Sequence, residues 1–287
     1  MSNRIFLYSG QMGGKSTFTG GLFSHLQNRE DTVVSHQMQY GRSEDFEKRV
    51  LSQLLESHQY PHQNPELYIV DVTLGGGARD GRPDEITIID FPGESIELIR
   101  DDPPWNQQDT DSIERRYEEL ETHDDGSSFL MPTEERKTVI QHEYIQSDTV
   151  IFLLNFHKLL MTNRHTPVYD ARDLRTVAEE KDVALVAIGT DIFDYKPDDD
   201  VVSSDGLLSF IRGSGSSVDS ELLDTIDDAV TVPGIWDILY TAKSNKNISF
   251  FGVAVPSRES GEDDRSVVSE NGVAETWGYG NVLKWLS

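Results

Sequence analysis

The sequence lacks cysteine, has few basic residues and contains no long apolar run. With no cysteine among its 287 residues, the chain can form neither disulfides nor cysteine-based zinc sites. No apolar run approaches the roughly 18–20 residues that a membrane-spanning helix requires, so we expect no membrane span. The first residues read as a strand that leads into a glycine-rich segment, which predicts neither a signal peptide nor a lipidation motif. We therefore expect a cytoplasmic protein.

The shortage of basic residues gives the chain a large negative charge. Lysine and arginine total 25 against 51 aspartate and glutamate residues, for a net charge of -26. The acidic residues are spread along the whole chain, whereas an acidic partner-binding surface would concentrate them in one block. Spread acidity of this kind is typical of proteins adapted to high salt, as in halophilic archaea. It also repels nucleic-acid phosphates, so we expect no nucleic-acid partner.

The most informative pattern present lies in residues 5–17, which read IFLYSGQMGGKST. An apolar strand, a glycine-rich loop and a helix start follow one another, as in the phosphate-binding pattern G-x-x-x-x-G-K-[ST], with Ser9 replacing the first glycine. Backbone N–H groups and the helix N-terminus attract phosphates, Lys15 adds a charge that serves binding and catalysis, and Ser16 offers a hydroxyl to Mg²⁺. The nucleotide-binding residues predicted here are Gly10, Gln11, Met12, Gly13, Gly14, Lys15, Ser16 and Thr17.

A second pattern, in residues 85–94, is an apolar strand that ends in Asp90 and is followed by a Pro-Gly turn. A carboxylate at the end of a buried parallel strand faces the ligand crevice of an open α/β sheet. Asp90 is therefore predicted to hold Mg²⁺ through a water, as the acidic partner of Ser16. Gly93 is predicted to bring its N–H close to a γ-phosphate, since only a residue without a side chain permits that approach.

Together these patterns resemble the Ras-like, translation-factor-related GTPases, and residues 90–94 (D-F-P-G-E) resemble the D-[YF]-P-G-E variant of prokaryotic double-GTPase type proteins. The resemblance covers residues 1–95 well. It implies a three-layer P-loop NTPase fold, which is α/β with a mostly parallel central sheet and helices on both faces. It also implies bound GTP and Mg²⁺. Residues 60–64 resemble the switch region of that family, whose metal-binding threonine would correspond here to Asn64 or to Thr73.

Base recognition and water activation depend on two further carboxylates. In the resembling family a strand ends with [NT]-K-x-D, whose aspartate binds the guanine N1–H and 2-amino groups. Asp191 matches that aspartate, but Ile188 and Gly189 replace the preceding Asn/Thr and Lys; alternatively, Asp191 caps the following segment. Glu94 falls where Ras-like proteins carry the glutamine that orients the attacking water, and alternatively it stabilises a helix N-terminus.

We expect one domain over residues 1–287, with polar, acidic insertions at about 100–138, 196–232 and 257–276. A hairpin is predicted from strand 67–74 through a glycine turn at 75–77 to the strand that ends at Asp90. Other apolar runs predict strands at 149–154, 183–188 and 248–256 and helices at 45–57, 112–121, 218–229 and 280–286.

Three functions are consistent with these patterns. The first is a Mg²⁺-dependent GTPase that acts as a molecular switch and contacts a protein effector through its switch and insertion segments. The second is an ATPase, because the base-reading pattern is incomplete. The third is a scaffold that a bound nucleotide stabilises without being hydrolysed.

Overall fold

The computed structural model describes most of the chain. The described residues are 2–11, 13–27, 34–40, 46–55, 67–74, 85–106, 109–121, 133–162, 167–193, 219–229, 234–259, 265–267, 269–270 and 273–286. Met12, the predicted switch segment 60–64 with Asn64, and the predicted turn at 75–77 lie outside them. Among the helices of the described residues, none has the length and apolar character needed to cross a bilayer.

Strands and helices alternate along most of the described chain. The strands are β1 (Ser2–Tyr8), β2 (Val34–Tyr40), β3 (Tyr68–Leu74), β4 (Glu85–Asp90), β5 (Thr149–Asn155), β6 (Asp182–Ile188), β7 (Ile248–Val253), β8 (Ser257–Glu259), β9 (Arg265–Val267), β10 (Ser269–Glu270) and β11 (Val273–Ala274). The α-helices are α1 (Lys15–Gln27), α2 (Ser52–Leu55), α3 (Gly93–Leu98), α4 (Thr110–Glu121), α5 (Thr133–Gln146), α6 (Phe156–Thr162), α7 (Ala171–Val177), α8 (Ser220–Ala229), α9 (Ile235–Ser244) and α10 (Tyr279–Leu286). A π-helical turn (Glu47–Leu51) precedes α2, and 3₁₀ turns occupy Pro104–Asn106 and Thr190–Phe193.

Seven strands of the described chain form one sheet in the order β2-β3-β4-β1-β5-β6-β7. The five adjacent strands β4, β1, β5, β6 and β7 are parallel to one another. Strand β3 is antiparallel to both of its neighbours, β4 and β2. The mostly parallel α/β sheet predicted from the sequence is therefore confirmed, as is the β3–β4 hairpin. The edge strand β2 was not predicted.

The central strands are apolar on both faces because helices cover both sides of the sheet. In β1, Ile5 and Leu7 belong to one buried cluster, whereas Phe6 and Tyr8 belong to the other. This alternation follows from the two-residue period of a strand. The first cluster includes residues of α1, α2 and α10, and the second includes residues of α5, α7, α8 and α9. The predicted helices on both faces are confirmed.

Several connecting elements were not predicted from the sequence. Helix α5 begins at Thr133, inside the segment predicted as an acidic insertion, and buries Val139, Ile140 and Tyr144 against the sheet. Near the C-terminus, β8 pairs with β9 and β10 pairs with β11. Ala274 of β11 is buried, and its carbonyl accepts a hydrogen bond from the Ser24 hydroxyl at 2.8 Å. Helix α5 and strand β11 thus both contribute to the core.

Candidate functional site

Five parallel strands of the described chain end at one edge of the sheet, which we call the carboxyl rim. Their last residues are Tyr8, Asp90, Asn155, Ile188 and Val253. The neighbouring strands β1 and β5 continue into helices on opposite faces, α1 and α6. In open α/β sheets, ligands bind in the crevice that such a divergence leaves at the carboxyl ends of the strands.

The β1–α1 loop (residues 9–14) is built on close backbone contacts. The N–H of Gly13 donates to the carbonyl of Gly10 at 3.1 Å, which closes a tight turn. A side chain at Gly13 would place its Cβ 2.1 Å from the Ser9 hydroxyl oxygen. Gly14 has a φ of 91°, a conformation in which glycine is strongly favoured. The glycines at 13 and 14 are therefore required by the shape of this loop.

The Lys15 ammonium is buried inside the same loop. Its Nζ donates to the carbonyls of Ser9 at 2.6 Å and Gly10 at 3.2 Å, and to the Ser9 hydroxyl at 3.3 Å. Burial lowers the pKa of Lys15 to about 8, and the negative charge of Asp90 opposes that shift. The loop thus holds a positive charge at the N-terminus of α1, where the helix dipole also favours an anion.

Asp90 is fully buried next to that charge. Its Oδ2 accepts a hydrogen bond from the Ser16 hydroxyl at 3.3 Å. Its Oδ1 is buried and has no hydrogen-bond partner among the described residues. Burial raises the pKa of Asp90 to about 6, against the opposing effects of Lys15 and the Ser16 hydroxyl. The two predicted metal ligands, Ser16 and Asp90, are therefore in contact.

The oxygen donors at this position fit Mg²⁺. An unpaired buried carboxylate oxygen is costly, and a divalent cation is one partner that would satisfy it. In the described part of the chain, no three Cys, His, Asp or Glu side chains are grouped to hold a metal ion. One carboxylate and one hydroxyl nevertheless suit Mg²⁺, which in nucleotide sites takes its remaining ligands from water and phosphate oxygens.

The turn after β4 packs tightly against the β1–α1 loop. A side chain at Gly93 would place its Cβ 2.3 Å from Gln11 Cα and 2.5 Å from Gln11 N. Glu94 is exposed in the first turn of α3, and its Oε1 accepts a hydrogen bond from Gln11 Nε2 at 3.2 Å. Gly93 and Glu94 thus lie beside the predicted phosphate loop, as the sequence patterns require.

Asp191 follows β6 in the 3₁₀ turn Thr190–Phe193. Its Oδ1 lies 3.0 Å from Nε2 of His157, the second residue of α6. Gly189 has a φ of 83°, and a Cβ there would lie 2.2 Å from Cδ2 of the same imidazole. The His157 ring therefore occupies the space next to residue 189, where the resembling family carries a lysine.

The turn from β5 into α6 supplies residues that sequence patterns did not indicate. Lys158 Nζ donates to the carbonyl of Gln11 at 2.9 Å, which links this turn to the β1–α1 loop. The Lys158 N–H donates to Asn155 Oδ1 at 3.2 Å, so Asn155 caps the first turn of α6. An Asn between an apolar strand and a helix is the one local signal that could have marked this turn.

Thr73, one of the two alternatives for the switch threonine, lies far from Asp90. In the β3–β4 hairpin Tyr68 pairs with Asp90, whereas Thr73 pairs with Glu85 at the far end of β4. Five residues of strand separate these pairs by about 16 Å. The prediction of Thr73 as a switch threonine is therefore wrong, because the antiparallel direction of β3 carries it away from Asp90. Thr17 lies in the first turn of α1, and its carbonyl accepts a hydrogen bond from the Tyr279 hydroxyl at 3.4 Å.

Comparison with known proteins adds no family assignment. No protein-family model matches the chain, and no curated protein matches it significantly. Function must therefore be inferred from the geometry and chemistry of the site itself.

Proposed function

We propose that this protein binds a nucleoside triphosphate with Mg²⁺ at the carboxyl rim, with GTP as the preferred ligand, and hydrolyses it slowly as a GTPase switch. One observation carries the proposal. The buried Lys15 ammonium and the hydrogen-bonded pair of Ser16 and Asp90 come together at the end of β1 and β4. These are the charge that triphosphate binding needs and the oxygen ligands that its metal needs.

The loop geometry supports phosphate binding. Lys15 is the first residue of a 13-residue helix, so its ammonium and the positive end of the helix dipole act at the same place. Gly13 keeps a side chain away from Ser9 within the loop, and Gly14 allows the loop to pack against Ile188 at the end of β6. The three-layer arrangement of helices and mostly parallel sheet further supports a P-loop NTPase fold.

The metal ligands fit the same reaction. Bound Mg²⁺ would be held by Ser16, Asp90 and phosphate oxygens and would neutralise charge on the β- and γ-phosphates. The chain's own contribution is to place Asp90 beside Lys15, whose charge opposes the rise in the pKa of Asp90, and to place the Ser16 hydroxyl at 3.3 Å from it. A rigid, buried arrangement of this kind needs little reorganisation during the reaction.

Hydrolysis in this proposal is slow. Phosphoryl transfer depends on the positioning of the attacking water and on electrostatic stabilisation of the γ-phosphoryl group. Glu94 is the exposed acceptor beside the loop and orients that water, while its hydrogen bond to Gln11 holds it toward the loop. Its negative charge near the γ-phosphate opposes the same step, so we expect turnover well below that of fast NTPases.

Preference for guanine is assigned to Asp191. A carboxylate at the carboxyl rim accepts two hydrogen bonds from the N1–H and 2-amino groups of guanine, whereas adenine has no such pair of donors. A site built on a charged hydrogen bond rejects the wrong base by roughly 1.5–3 kcal/mol.

Titration of fluorescently labelled GTP and ATP onto the protein in molar KCl with Mg²⁺, together with phosphate release, tests the proposal. We expect tighter binding of GTP and slow release of phosphate. Equal affinity for ATP favours the ATPase alternative, and binding without phosphate release favours the scaffold. If neither nucleotide binds, the proposed function is wrong.

A further inference from the structure

The strongest unassigned feature of the molecule is the contact between His157 and Asp191, which joins the segments that follow two neighbouring strands, β5 and β6, at the carboxyl rim. His157 Nε2 and Asp191 Oδ1 are 3.0 Å apart, and the two side chains are 21% and 11% exposed. A carboxylate accepts but does not donate, so Nε2 carries the proton of this hydrogen bond. Among the described residues, no other hydrogen bond reaches the Asp191 carboxylate. His157 thus fixes Oδ1 of Asp191, and the other oxygen has no hydrogen bond among the described residues.

Gly189 explains why this contact is possible in this chain. Any side chain at residue 189 would collide with the imidazole, because a Cβ there would lie 2.2 Å from Cδ2 and 3.0 Å from Nε2 of His157. The positive φ of 83° at Gly189 also disfavours a side chain. The loss of the lysine from the [NT]-K-x-D pattern and the presence of His157 are therefore two parts of one arrangement.

The first turn of α6, which carries His157, also contacts the β1–α1 loop. Lys158, next to His157 in α6, donates to the Gln11 carbonyl of the β1–α1 loop at 2.9 Å. Burial lowers the pKa of Lys158, and the nearby Glu97 opposes that shift. The first turn of α6 therefore contacts both the predicted phosphate loop and the predicted base-reading carboxylate, so it sets the distance between them.

We propose that His157 is a specificity-determining positioning residue, which holds the Asp191 carboxylate in the orientation that accepts the N1–H and 2-amino groups of a guanine base. This inference rests on the proposed function. His157 acts through Asp191 and takes over, from the helix that follows the neighbouring strand β5, the place of the missing lysine. Without the Nε2–H donor, the carboxylate is free to rotate and discrimination between purines falls.

The test measures the affinities of GTP, ATP and inorganic tripolyphosphate, each with Mg²⁺, for the wild-type protein and for His157→Ala, His157→Asn and His157→Gln. Glutamine can place an amide N–H near the position of Nε2, whereas asparagine is too short to reach Asp191. We expect the preference for GTP over ATP to fall about tenfold in the Ala and Asn variants and to persist in the Gln variant. The affinity for tripolyphosphate stays unchanged in all of them.

Two controls isolate the contact. His142→Ala removes a histidine that lies 3.4 Å from another carboxylate, that of Glu143, near the opposite ends of the strands. It leaves the preference for GTP unchanged. In the Asp191→Asn background, His157→Ala causes no further loss of preference, since the two residues act as one unit.

The outcomes separate this inference from the function on which it rests. An unchanged preference in His157→Ala, or an equal weakening of all three ligands, would show a purely structural histidine and overturn the inference. If His157→Ala does not fold, the contrast between Asn and Gln decides the question. A wild-type protein that binds tripolyphosphate without distinguishing GTP from ATP overturns this inference and the preference for GTP, and leaves the proposed triphosphate site in place. A wild-type protein that binds none of the three ligands overturns the proposed function itself.

Discussion

Asp90 at the carboxyl rim and Glu143 at the amino rim, the opposite edge where β1, β5 and β6 begin, are both buried carboxylates with different surroundings. Both Glu143 oxygens have partners: Oε2 pairs with the Arg4 guanidinium, and Oε1 lies 3.4 Å from His142 Nδ1. Asp90 has the Ser16 hydroxyl on Oδ2 and no hydrogen-bond partner for Oδ1 among the described residues. One carboxylate is therefore satisfied by the fold, and the other is not.

The lysines of the two rims show the same contrast. At the amino rim, Lys181 Nζ donates to the carbonyls of Ser147 at 2.5 Å and Ile145 at 3.3 Å and lies 4.8 Å from the centre of the Tyr144 ring. These contacts connect the end of α5 to the start of β6. Lys15 is also held by carbonyls, but they belong to a glycine-rich loop at a crevice. Charge at the amino rim joins elements of the fold, whereas at the carboxyl rim it lies in the crevice where we propose that a ligand binds.

The largest expected effect comes from replacing each of these two lysines, because one replacement should impair ligand binding and the other should impair stability. Lys15→Ala removes the fixed charge for the β- and γ-phosphates and is expected to weaken GTP binding by about 100-fold or more. Its melting temperature is expected to change little, because the carbonyls that Lys15 contacts belong to the crevice loop itself and join no separate elements of the fold. Lys181→Ala lowers the melting temperature and keeps GTP affinity. Calorimetric titration and thermal unfolding of both variants check this; unchanged GTP affinity in Lys15→Ala would contradict the phosphate site.

The two carboxylates should respond to neutralisation with opposite signs. Glu143→Gln breaks a buried ion pair and is expected to lower the free energy of unfolding by about 2–3 kcal/mol. Asp90→Asn removes a charge that burial disfavours and is expected to raise the stability of the ligand-free protein near pH 7.5 by about 1–2 kcal/mol. The pKa of Asp90 is raised from 3.8 to about 6, so this gain shrinks as the pH falls below 6 and is lost only when the pH is below both values.

Denaturant unfolding of the two variants at pH 5 and pH 7.5 measures these differences. If Asp90→Asn destabilises the ligand-free protein as much as Glu143→Gln does, both carboxylates stabilise the fold. The proposed contrast between the two rims would then be wrong.

Among the groups of the protein, those of the carboxyl rim should set the pH dependence of ligand affinity. In the free site the pKa of Asp90 is about 6 and that of Lys15 is about 8. Mg²⁺ needs the ionised carboxylate and the phosphates need the ammonium, so affinity for Mg²⁺ with GTP is expected to be greatest between pH 6 and 8. One unit below the pKa of Asp90 the loss is about tenfold. GTP titrations of wild type and Asp90→Asn at a series of pH values measure how affinity falls on the acidic side. Protonation of the nucleotide affects both proteins equally. If affinity falls in the same way in both, Asp90 is not the group responsible.

The smallest expected effect concerns the exposed carboxylate of the site. Glu94→Gln removes a negative charge beside the loop and keeps a side chain that can hydrogen-bond to Gln11. An exposed like-charge contact is weak, so GTP affinity is expected to rise by only about threefold. Calorimetric titration measures the change. Binding that becomes weaker in Glu94→Gln would indicate that the carboxylate contacts the ligand favourably.

Sequence patterns predicted the parts of the site that depend on local signals. The glycine-rich loop before Lys15 and the strand that ends at Asp90 each lie within one short segment, and the parallel sheet then brings Ser16 to Asp90. The contact of His157 with Asp191 joins residues 34 positions apart and depends on the packing of α6 beside β6. No local pattern encodes that packing.

The structural elements that were missed have comparable causes. In α5 the polar residues Thr138, Gln141 and Glu143 are buried together with the apolar ones, which hides the helical period. Thr73 was misplaced because distance along the sequence does not reveal the direction of β3. Adaptation to high salt, a cytoplasmic location, a protein effector and the absence of a nucleic-acid partner stay predictions.

The central claim, that the buried charges at the carboxyl rim form a site for Mg²⁺ and a nucleoside triphosphate, is tested most directly by one calorimetric experiment. GTP is titrated into wild type and Asp90→Asn in molar KCl, once with Mg²⁺ and once with EDTA. We expect Mg²⁺ to strengthen binding at least tenfold in the wild type and much less in Asp90→Asn. Wild-type binding that is equally tight in EDTA, or the same Mg²⁺ effect in both proteins, would contradict the account.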